Sequence, residues 1–423
     1  MRRLPAKIAY LLTVGVDSFA RGLIFIGLTA YYVRTVGMSP LQLVLVGTAI
    51  ELTCFLFEVP TGIVADTVSR RLSVIIGGVL VGACYMLTGL APLFAAIVIA
   101  EIVRGIGETF LSGAFDAWIT DEVGAENVGP VFVRSAQFGQ GFSLMGGLVS
   151  VLLASWFGYQ MPIFIGGALT TTIFLVMIFL MPETGFRPAP REDRNTFGHM
   201  LHTFTQGTRT VRGSPVLILL IVVEVVFGAS SEGYDRLWES HLLTGFSLPV
   251  LSLPVIGRLD PIAWFALIDI ALTVISMTLL EVIRRRMKMT DQARVTRALI
   301  GFNALILVAT LALAAAGRYE LALAAIVTRS VVFMVLRPIG STWLNQHIPS
   351  QVRATVLSMN SQMNALGQIA GGPGVGWVGN RYGVRSAIGL SGLLLAPALV
   401  LYARFIRNSE GAELVAAQVE ADS

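Results

Sequence analysis

Long apolar segments separated by short polar turns run the whole length of the 423-residue chain. A helix of about 20 apolar residues crosses a bilayer, because it satisfies its own backbone hydrogen bonds where water is absent. The pattern predicts an all-α membrane protein with twelve transmembrane helices. The predicted spans are residues 8–32, 41–65, 72–90, 93–118, 131–157, 162–181, 215–243, 261–283, 296–316, 321–344, 352–378 and 386–406.

The longest polar interruption has six predicted spans on each side, which predicts two six-helix halves. GIVADTVSRR (62–71) also weakly resembles GWVGNRYGVR (376–385). Such an internal echo is typical of transporters built from three-helix repeats. The predicted parts are an N-terminal half (1–181), a cytoplasmic linker (182–214), a C-terminal half (215–408) and a cytoplasmic tail (409–423).

The composition agrees with a membrane location. Only 13% of the residues are charged and 55% are hydrophobic, whereas a soluble domain has about 25% charged residues. Most Lys and Arg residues fall in loops on the side of the N-terminus, which predicts both termini in the cytoplasm and a multi-pass protein of the cytoplasmic (inner) membrane. The net charge of +4 arises in these short loops, so we do not expect nucleic acid as a partner.

The reactive side chains form no catalytic or metal-binding motif. Cys54 and Cys84 lie within apolar segments, where we expect buried thiols rather than a disulfide framework or a metal site. The chain has no phosphate-binding loop and no nucleophile elbow. We therefore expect no enzyme activity, no cofactor and no metal. The expected partners are a small-molecule substrate, protons and the lipid bilayer, and the expected state is a monomer.

The loop between the second and third predicted spans has a distinctive spacing of Gly, Asp and Arg. The stretch GIVADTVSRR resembles the signature loop of the major facilitator superfamily, G-x-x-x-D-R-x-G-R-R. The span count and the six-plus-six division also agree with that family, so the resemblance covers essentially the whole chain. The matching residues are Gly62, Asp66, Arg70 and Arg71, and the departures are Thr67 and Ser69.

Other stretches resemble one branch of that superfamily, the drug:proton antiporters of the multidrug and tetracycline type. They are EVPTGIVAD, SGAFDAWITDEVG (112–124) and WLNQHIPSQVRATVLSMNSQ (343–362). The fifth predicted span, in GQGFSLMGGLVS (139–150), has the glycines of the Gly-Pro motif of that branch but lacks its proline. Close packing of two membrane helices accounts for these glycines equally well.

The resemblance implies a major facilitator fold and a conformational latch at the inner surface. In the family, the loop carboxylate, here Asp66, caps the N-terminus of the eleventh helix in the outward-facing state. That terminus is expected near Ser350 to Arg353, and its partial positive charge would favour the contact. Arg70 or Arg71 is expected to pair with Asp121. The alternative is that these charges only anchor the topology.

Several ionisable residues fall inside the predicted spans, where an unpaired charge is costly. Asp17 and Arg21 are four residues apart and share one face of a helix. Glu101, Arg104 and Glu108 form one stripe on the fourth span. The resemblance to antiporters, in which an arginine of this span lies near the protonation site, implies that Asp17 and Glu108 are proton-coupling candidates tuned by Arg21 and Arg104. The alternative is a static ion network that fixes helix packing.

Further polar and aromatic residues are predicted to line a substrate cavity between the halves. An interfacial aromatic belt is the alternative for the aromatic members. The predicted cavity residues are Tyr31, Glu51, Glu58, Glu101, Asp116, Glu224, Glu232, Tyr234, Trp238, Asn303, Arg329, Arg337, Asn360 and Asn364.

These features predict a secondary active transporter that exports small amphipathic compounds or drugs in exchange for protons by alternating access. Symport or uniport of a specific metabolite is the alternative within the same class. A membrane enzyme, scramblase or sensor on the same scaffold is a more distant alternative, because fold does not fix function.

Overall fold

The computed structural model describes residues 3–188, 208, 212–213, 215–253, 257–286, 292–348, 353–401 and 403. Almost all of these residues are helical. A π-helical turn, Tyr31–Val36, extends the first helix, and two short strands, β1 (Ser252–Leu253) and β2 (Gly257–Arg258), pair antiparallel. The helices are α1 (Ala6–Ala30), α2 (Pro40–Thr67), α3 (Arg70–Leu90), α4 (Phe94–Leu111), α5 (Ala114–Val123), α6 (Ala125–Phe157), α7 (Gln160–Leu180), α8 (Pro215–Gly245), α9 (Ala263–Arg286), α10 (Gln292–Ala315), α11 (Tyr319–His347), α12 (Arg353–Tyr382) and α13 (Val384–Leu394).

Ten helices in the described part of the chain are long and apolar enough to cross a membrane. The predicted all-α membrane fold is therefore confirmed. Helices α4, α5 and α12 are not among the ten: α4 contains three charged residues, α5 has only 10 residues, and α12 contains several Asn and Gln residues. The count of twelve spans and the domain limits stay predictions, and much of the predicted linker and the whole predicted tail lie outside the described residues.

Local sequence signals explain where several helices begin and end. Gly37, with a φ of 74°, ends the π-helical turn in the left-handed conformation that glycine adopts easily. Ser39 and Gln42 then form a reciprocal capping box at the start of α2, with Pro40 at the first helical position. Such a cap stabilises a helix by about 1 kcal/mol.

The predicted fourth span, 93–118, is not continuous. Helix α4 ends at Leu111, and α5 starts only at Ala114. Between them Gly113 has a φ of 69°, a conformation outside the helical region that is accessible to glycine. The predicted fourth span is therefore two helices separated by Ser112 and Gly113.

The chain divides into two compact units. The first comprises residues 1–199 and 243–270, and the second comprises residues 200–242 and 271–423. In the first unit α1 packs on α6 and α7, while α3 packs on α4 and α7. Trp118 and Phe174 are among its largest fully buried side chains. In the second unit the core includes Val335 and Ile339 of α11, which are completely buried.

Glycines allow two helices of the first unit to cross at close range. A Cβ atom on Gly22 of α1 would overlap the carbonyl oxygen of Ser143 on α6. Reciprocally, a Cβ on Gly146 of α6 would overlap the carbonyl oxygen of Phe19 on α1. The fifth-span glycines singled out in the sequence therefore include one that packs the backbones of α1 and α6 together.

The second unit has the same kind of crossing between α8 and α12. A Cβ on Gly228 would overlap the carbonyl oxygen of Asn364, and a Cβ on Gly367 would overlap that of Val225. The two crossings involve the first and fifth helical spans of one half and the first and fifth of the other. Each half is thus built around an equivalent pair of helices, as expected of internal repeats.

The connection between α8 and α9 belongs to the first unit and contacts its helices through a polar cluster. The Tyr159 hydroxyl donates to Asp260 Oδ2 at 2.8 Å and accepts from Arg34 Nη1 at 2.9 Å. Asp260 is held further by Ser155, whose Oγ accepts from the Asp260 amide at 3.0 Å. Burial, followed by the hydrogen bond to Asp260, raises the pKa of Tyr159 to about 12. The sequence prediction did not include this cluster.

Candidate functional site

The charged residues of α1 and α4 meet inside the first unit. Arg21 Nε donates to Asp17 Oδ2 at 2.7 Å, the pair that the four-residue spacing predicts. The same guanidinium reaches across to α4, where its Nη1 donates to Glu108 Oε1 at 3.2 Å. Thr170 of α7 donates to the second oxygen of Asp17 at 3.2 Å. Three helices therefore hold Asp17 and Glu108 through one arginine and one hydroxyl.

A second arginine continues the chain of ion pairs along α4. Arg104 Nη1 lies 3.4 Å from Glu108 Oε1, and its Nη2 forms a short ion pair with Glu101. The Arg104 guanidinium also lies over the Tyr85 ring, 5.1 Å from its centroid, where the ring quadrupole favours a cation. Glu101 and Arg104 are the least exposed members, at 2% and 9%, and form the buried end of the arrangement.

We call these five residues the charge network. It contains one more carboxylate than guanidinium, so it carries a net charge of −1 when all members are ionised. Such an excess charge is costly in a low-dielectric interior, and binding of one proton would remove it. The members of the charge network are Asp17, Arg21, Glu101, Arg104 and Glu108.

One end of the charge network is accessible and the other is buried. The side chains of Asp17, Arg21 and Glu108 are 17%, 31% and 24% exposed, whereas Glu101 is only 2% exposed. The exposed members line a cavity of about 470 Å³, and Glu101 and Arg104 do not. A proton from solvent would therefore reach Asp17 or Glu108 before Glu101.

Two further predicted cavity residues line the same space. Glu58 accepts from Ser112 Oγ at 2.9 Å, in the break between α4 and α5. Asp116 accepts from the Tyr10 hydroxyl at 2.9 Å. Two more carboxylates of the prediction therefore line the cavity, and each accepts a hydrogen bond from a hydroxyl group.

Other predicted residues of the first unit lie elsewhere. Tyr31 is completely buried and donates to the Thr88 carbonyl at 2.6 Å, so its hydroxyl is occupied in helix packing. Glu51 is half-buried on α2 and does not line the cavity. Sequence spacing could not separate these positions from the cavity-lining ones, because both kinds occur on the same helices.

The signature loop forms a compact polar cluster. Arg70 makes a short ion pair with Asp121 and lies 3.5 Å from Asp66, which is 62% exposed. The Arg71 side chain instead donates to the Ile178 carbonyl. Gly62 has open space around its Cβ position. The helix N-terminus expected to receive Asp66, near Ser350, lies partly outside the described residues.

Ser69, one of the two departures from the family pattern, has structural roles of its own. Its Oγ accepts from the Leu72 amide at 2.9 Å and so caps α3. It also donates to Glu183, whose carboxylate accepts from the Arg71 amide at 3.0 Å. Glu183 thus lies at the N-terminus of α3, where the helix dipole favours a negative charge. The sequence prediction did not include Glu183.

The second unit contains its own cavity, of about 430 Å³. Predicted residues on four helices line it: Glu224, Asn303, Arg337, Asn360 and Asn364. The other four predicted residues of this unit, Glu232, Tyr234, Trp238 and Arg329, do not line it. Glu232 is 2% exposed and pairs with Arg236 at 3.0 Å. Arg329 lies over the Tyr234 ring and 3.6 Å from Asp235, a cavity residue that the prediction omitted.

Sequence reasoning also missed partners that complete the first-unit site. Thr170 and Tyr85 are unremarkable in sequence, because single hydroxyl and aromatic residues are common in membrane helices. Only the packing of α7 and α3 against the charged helices reveals their contacts. A hydroxyl-rich stretch inside an otherwise apolar span, TTT at 170–172, is the signal that could have drawn attention to Thr170.

The described helices, the cavities and the buried charges define a multi-pass helical membrane transporter. A sequence model of the Major Facilitator Superfamily matches residues 10–372. The chain therefore belongs to the Major Facilitator Superfamily, which is generally non-enzymatic.

Known proteins resemble the chain over most of its length. YxaM of Bacillus subtilis (strain 168), an uncharacterised transporter of the same type, is 23% identical over 371 residues, 86% of each chain. The nucleoside transporter NupG superposes with a TM-score of 0.70 at 17% identity, covering 96% of this chain and 99% of its own. A peptide transporter of the POT family superposes with a TM-score of 0.70 at 14% identity, covering 96% and 95%. At these identities the two structures support the fold alone.

Proposed function

We propose that the chain is a proton-coupled secondary transporter that works by alternating access. The observation that carries the proposal is the charge network with its one excess carboxylate, open to water at one end. Proton binding there would neutralise the network, and proton release would restore its net charge of −1. A charge change in the interior of a membrane protein alters the relative free energies of its conformations.

The coupling roles within the network follow from its contacts. Asp17 and Glu108 line the cavity and are the proposed sites of proton exchange. Arg21 bridges them, with 2.7 Å to Asp17 and 3.2 Å to Glu108. A proton on either carboxylate would weaken its pairing with Arg21 and shift that guanidinium towards the other. Arg104 and Glu101 would hold the buried end fixed.

The direction and substrate are further parts of the proposal. The resemblance of the 112–124 and 343–362 stretches to drug:proton antiporters supports export of small amphipathic compounds across the cytoplasmic membrane, with both termini in the cytoplasm. The many neutral polar residues of the second cavity support the alternative, symport or uniport of a specific metabolite. A monomer embedded in the lipid bilayer is sufficient for either.

The signature loop is proposed to act as the inner latch. The Arg70–Asp121 pair joins the start of α3 to α5, and Asp66 lies within reach of the same guanidinium. Movement of α5 would therefore be transmitted to the loop. The exposed Asp66 carboxylate is available to cap another helix during the transport cycle.

Dye efflux from cells tests the proposal. Cells expressing the chain are loaded with the cationic dye ethidium or the uncharged dye Nile red, with and without an uncoupler. We expect efflux of at least one dye that the uncoupler abolishes and that Asp17→Asn or Glu108→Gln removes.

The control is Glu281→Gln, which removes a carboxylate from an exposed pair with Arg285 outside the network. Efflux that is indifferent to the uncoupler would refute proton coupling. Efflux that persists in both network variants would refute the assigned sites. Absence of efflux of either dye from well-inserted protein would favour the alternative, a specific metabolite.

A further inference from the structure

The cavity of the second unit has an ordered set of hydrogen-bonding groups on one wall. Gln368 Nε2 donates to Asn364 Oδ1 at 2.7 Å, and Asn364 Nδ2 donates to Glu224 Oε2 at 2.9 Å. Asn360, one turn before Asn364 on α12, also hydrogen-bonds to the Glu224 side chain. This chain of amides ends on a carboxylate, so each donor is oriented by the next group and the wall is preorganised.

Glu224 has acceptor capacity beyond these contacts. An ionised carboxylate offers about four lone-pair sites, and the two Asn side chains fill two of them. The carboxylate lines the cavity, so its remaining sites face a space that a ligand can enter. A ligand with two neighbouring O–H or N–H donors would complete its hydrogen bonding.

The charges around this cavity balance. Glu224 faces the positive charge of Arg337, which lines the same cavity. Asp235 lies 3.6 Å from Arg329. A charged ligand would therefore add an unbalanced charge to a site of low dielectric constant, which is costly. An uncharged ligand avoids that cost.

An aromatic surface forms another part of the wall. The rings of Phe227 and Phe333 stack with centroids 5.6 Å apart and an interplanar angle of 4°. The Arg337 guanidinium lies 5.6 Å from the Phe333 centroid, within the range of an attraction between a cation and an aromatic ring. Flat phenyl groups beside hydrogen-bonding groups suit a ligand that is itself a ring with polar substituents.

We infer that the second-unit cavity binds an uncharged ring compound that carries adjacent hydroxyl or N–H donors. Glu224 accepts from those donors, the amides of α12 orient Glu224, and the phenyl pair contacts the ring. The inference rests on the proposed transport function and narrows its substrate class, because it excludes permanent cations and anions as preferred ligands.

The test uses the purified full-length protein in detergent and four probes of one aromatic ring at equal concentration. Catechol is uncharged with two adjacent hydroxyls, and veratrole is the same ring with both hydroxyls methylated. Benzoate supplies a negative charge and benzyltrimethylammonium a positive charge. The thermal unfolding midpoint is measured at pH 6. A ligand that binds only the folded protein raises this midpoint.

We expect catechol to raise the midpoint by about 2 °C or more, and the other three probes to raise it less. Glu224→Gln should abolish the difference between catechol and veratrole, and Phe333→Leu should reduce the shift with both. Glu281→Gln, an exposed change on α9, should leave all four shifts as in the unmodified protein.

Three results would overturn the inference. They are a larger shift with the cation or the anion than with catechol, equal shifts with catechol and veratrole in the unmodified protein, and no shift with any probe. The measurement uses no pH gradient, so its failure is separate from failure of proton coupling. Conversely, uncoupler-insensitive efflux would leave the ligand preference intact.

Discussion

Replacing Glu108 by Gln tests the charge network most directly. The change removes one negative charge and keeps the shape of the side chain, so the net charge of the network goes from −1 to zero. If one proton is exchanged per substrate, the equilibrium ratio of substrate concentrations across the membrane changes about tenfold for each pH unit, equivalent to about 1.4 kcal/mol. With Glu108→Gln we expect this dependence on pH to disappear.

Two companion variants make the result specific. Glu58→Gln removes a carboxylate from the same cavity but outside the network, and should keep the tenfold dependence. Glu101→Gln also removes one negative charge, from the buried end of the network, and should abolish the tenfold dependence on pH. Glu101 is 2% exposed, and its loss leaves Arg104 with Glu108 alone. We therefore expect Glu101→Gln to cost about 3 kcal/mol of stability, the lower end for a broken buried pair.

The assay is substrate accumulation in proteoliposomes under imposed pH steps, with whichever probe the unmodified chain transports. The equilibrium ratio depends on stoichiometry and not on affinity, so weaker substrate binding in a variant does not disturb it. Each variant is reconstituted in equal amount, and its unfolding midpoint verifies that it is folded. A tenfold dependence retained in Glu101→Gln would refute a shared excess charge. Its loss in Glu58→Gln would refute the restriction to the network.

Three further predictions concern packing, capping and the α8–α9 connection. Gly146→Ala should cost about 1–3 kcal/mol, because the added methyl group meets a backbone carbonyl. Gly141→Ala on the same helix, with open space at its Cβ, should be neutral or gain up to about 1 kcal/mol of stability. Equal unfolding midpoints for Gly146→Ala and Gly141→Ala would contradict the close crossing of α1 and α6. Ser69→Ala should cost about 1–2 kcal/mol through loss of the α3 cap, and a midpoint that does not fall would contradict that role. The pKa of Tyr159 is raised from 10.0 to about 12, so its stabilisation is complete below pH 10 and is lost as the pH rises towards 12. Tyr159→Phe removes the hydroxyl that contacts Asp260, so it should also remove this part of the pH dependence of the unfolding midpoint. A pH profile of the midpoint that is unchanged in Tyr159→Phe would contradict this role of Tyr159.

The sequence predicted the helical fold well because a long apolar segment in lipid can satisfy its own backbone hydrogen bonds only as a helix. It also predicted the pairing of Asp17 with Arg21, because four residues on a helix fix a shared face. The break at Gly113 was missed, because a glycine inside an apolar run is compatible with a continuous helix as well as with a turn.

Contacts between segments that are distant in the sequence were harder to predict. The assignment of Arg70 or Arg71 to Asp121 came from a family resemblance, and spacing alone could not choose between them; the structure brings Arg70 to that carboxylate. Nothing in the sequence relates Ser69 to Glu183, or Tyr159 to Asp260, because these pairs depend on how separate helices pack.

The two glycine crossings restrict how each half can change shape. A backbone held against a carbonyl oxygen cannot slide by a residue without driving the next side chain into that oxygen. The pairs α1–α6 and α8–α12 should therefore keep a constant separation throughout a transport cycle. Spectroscopic labels placed on the two helices of either pair should report the same distance in every state. Such a distance is an internal reference against which motions elsewhere in the protein can be measured.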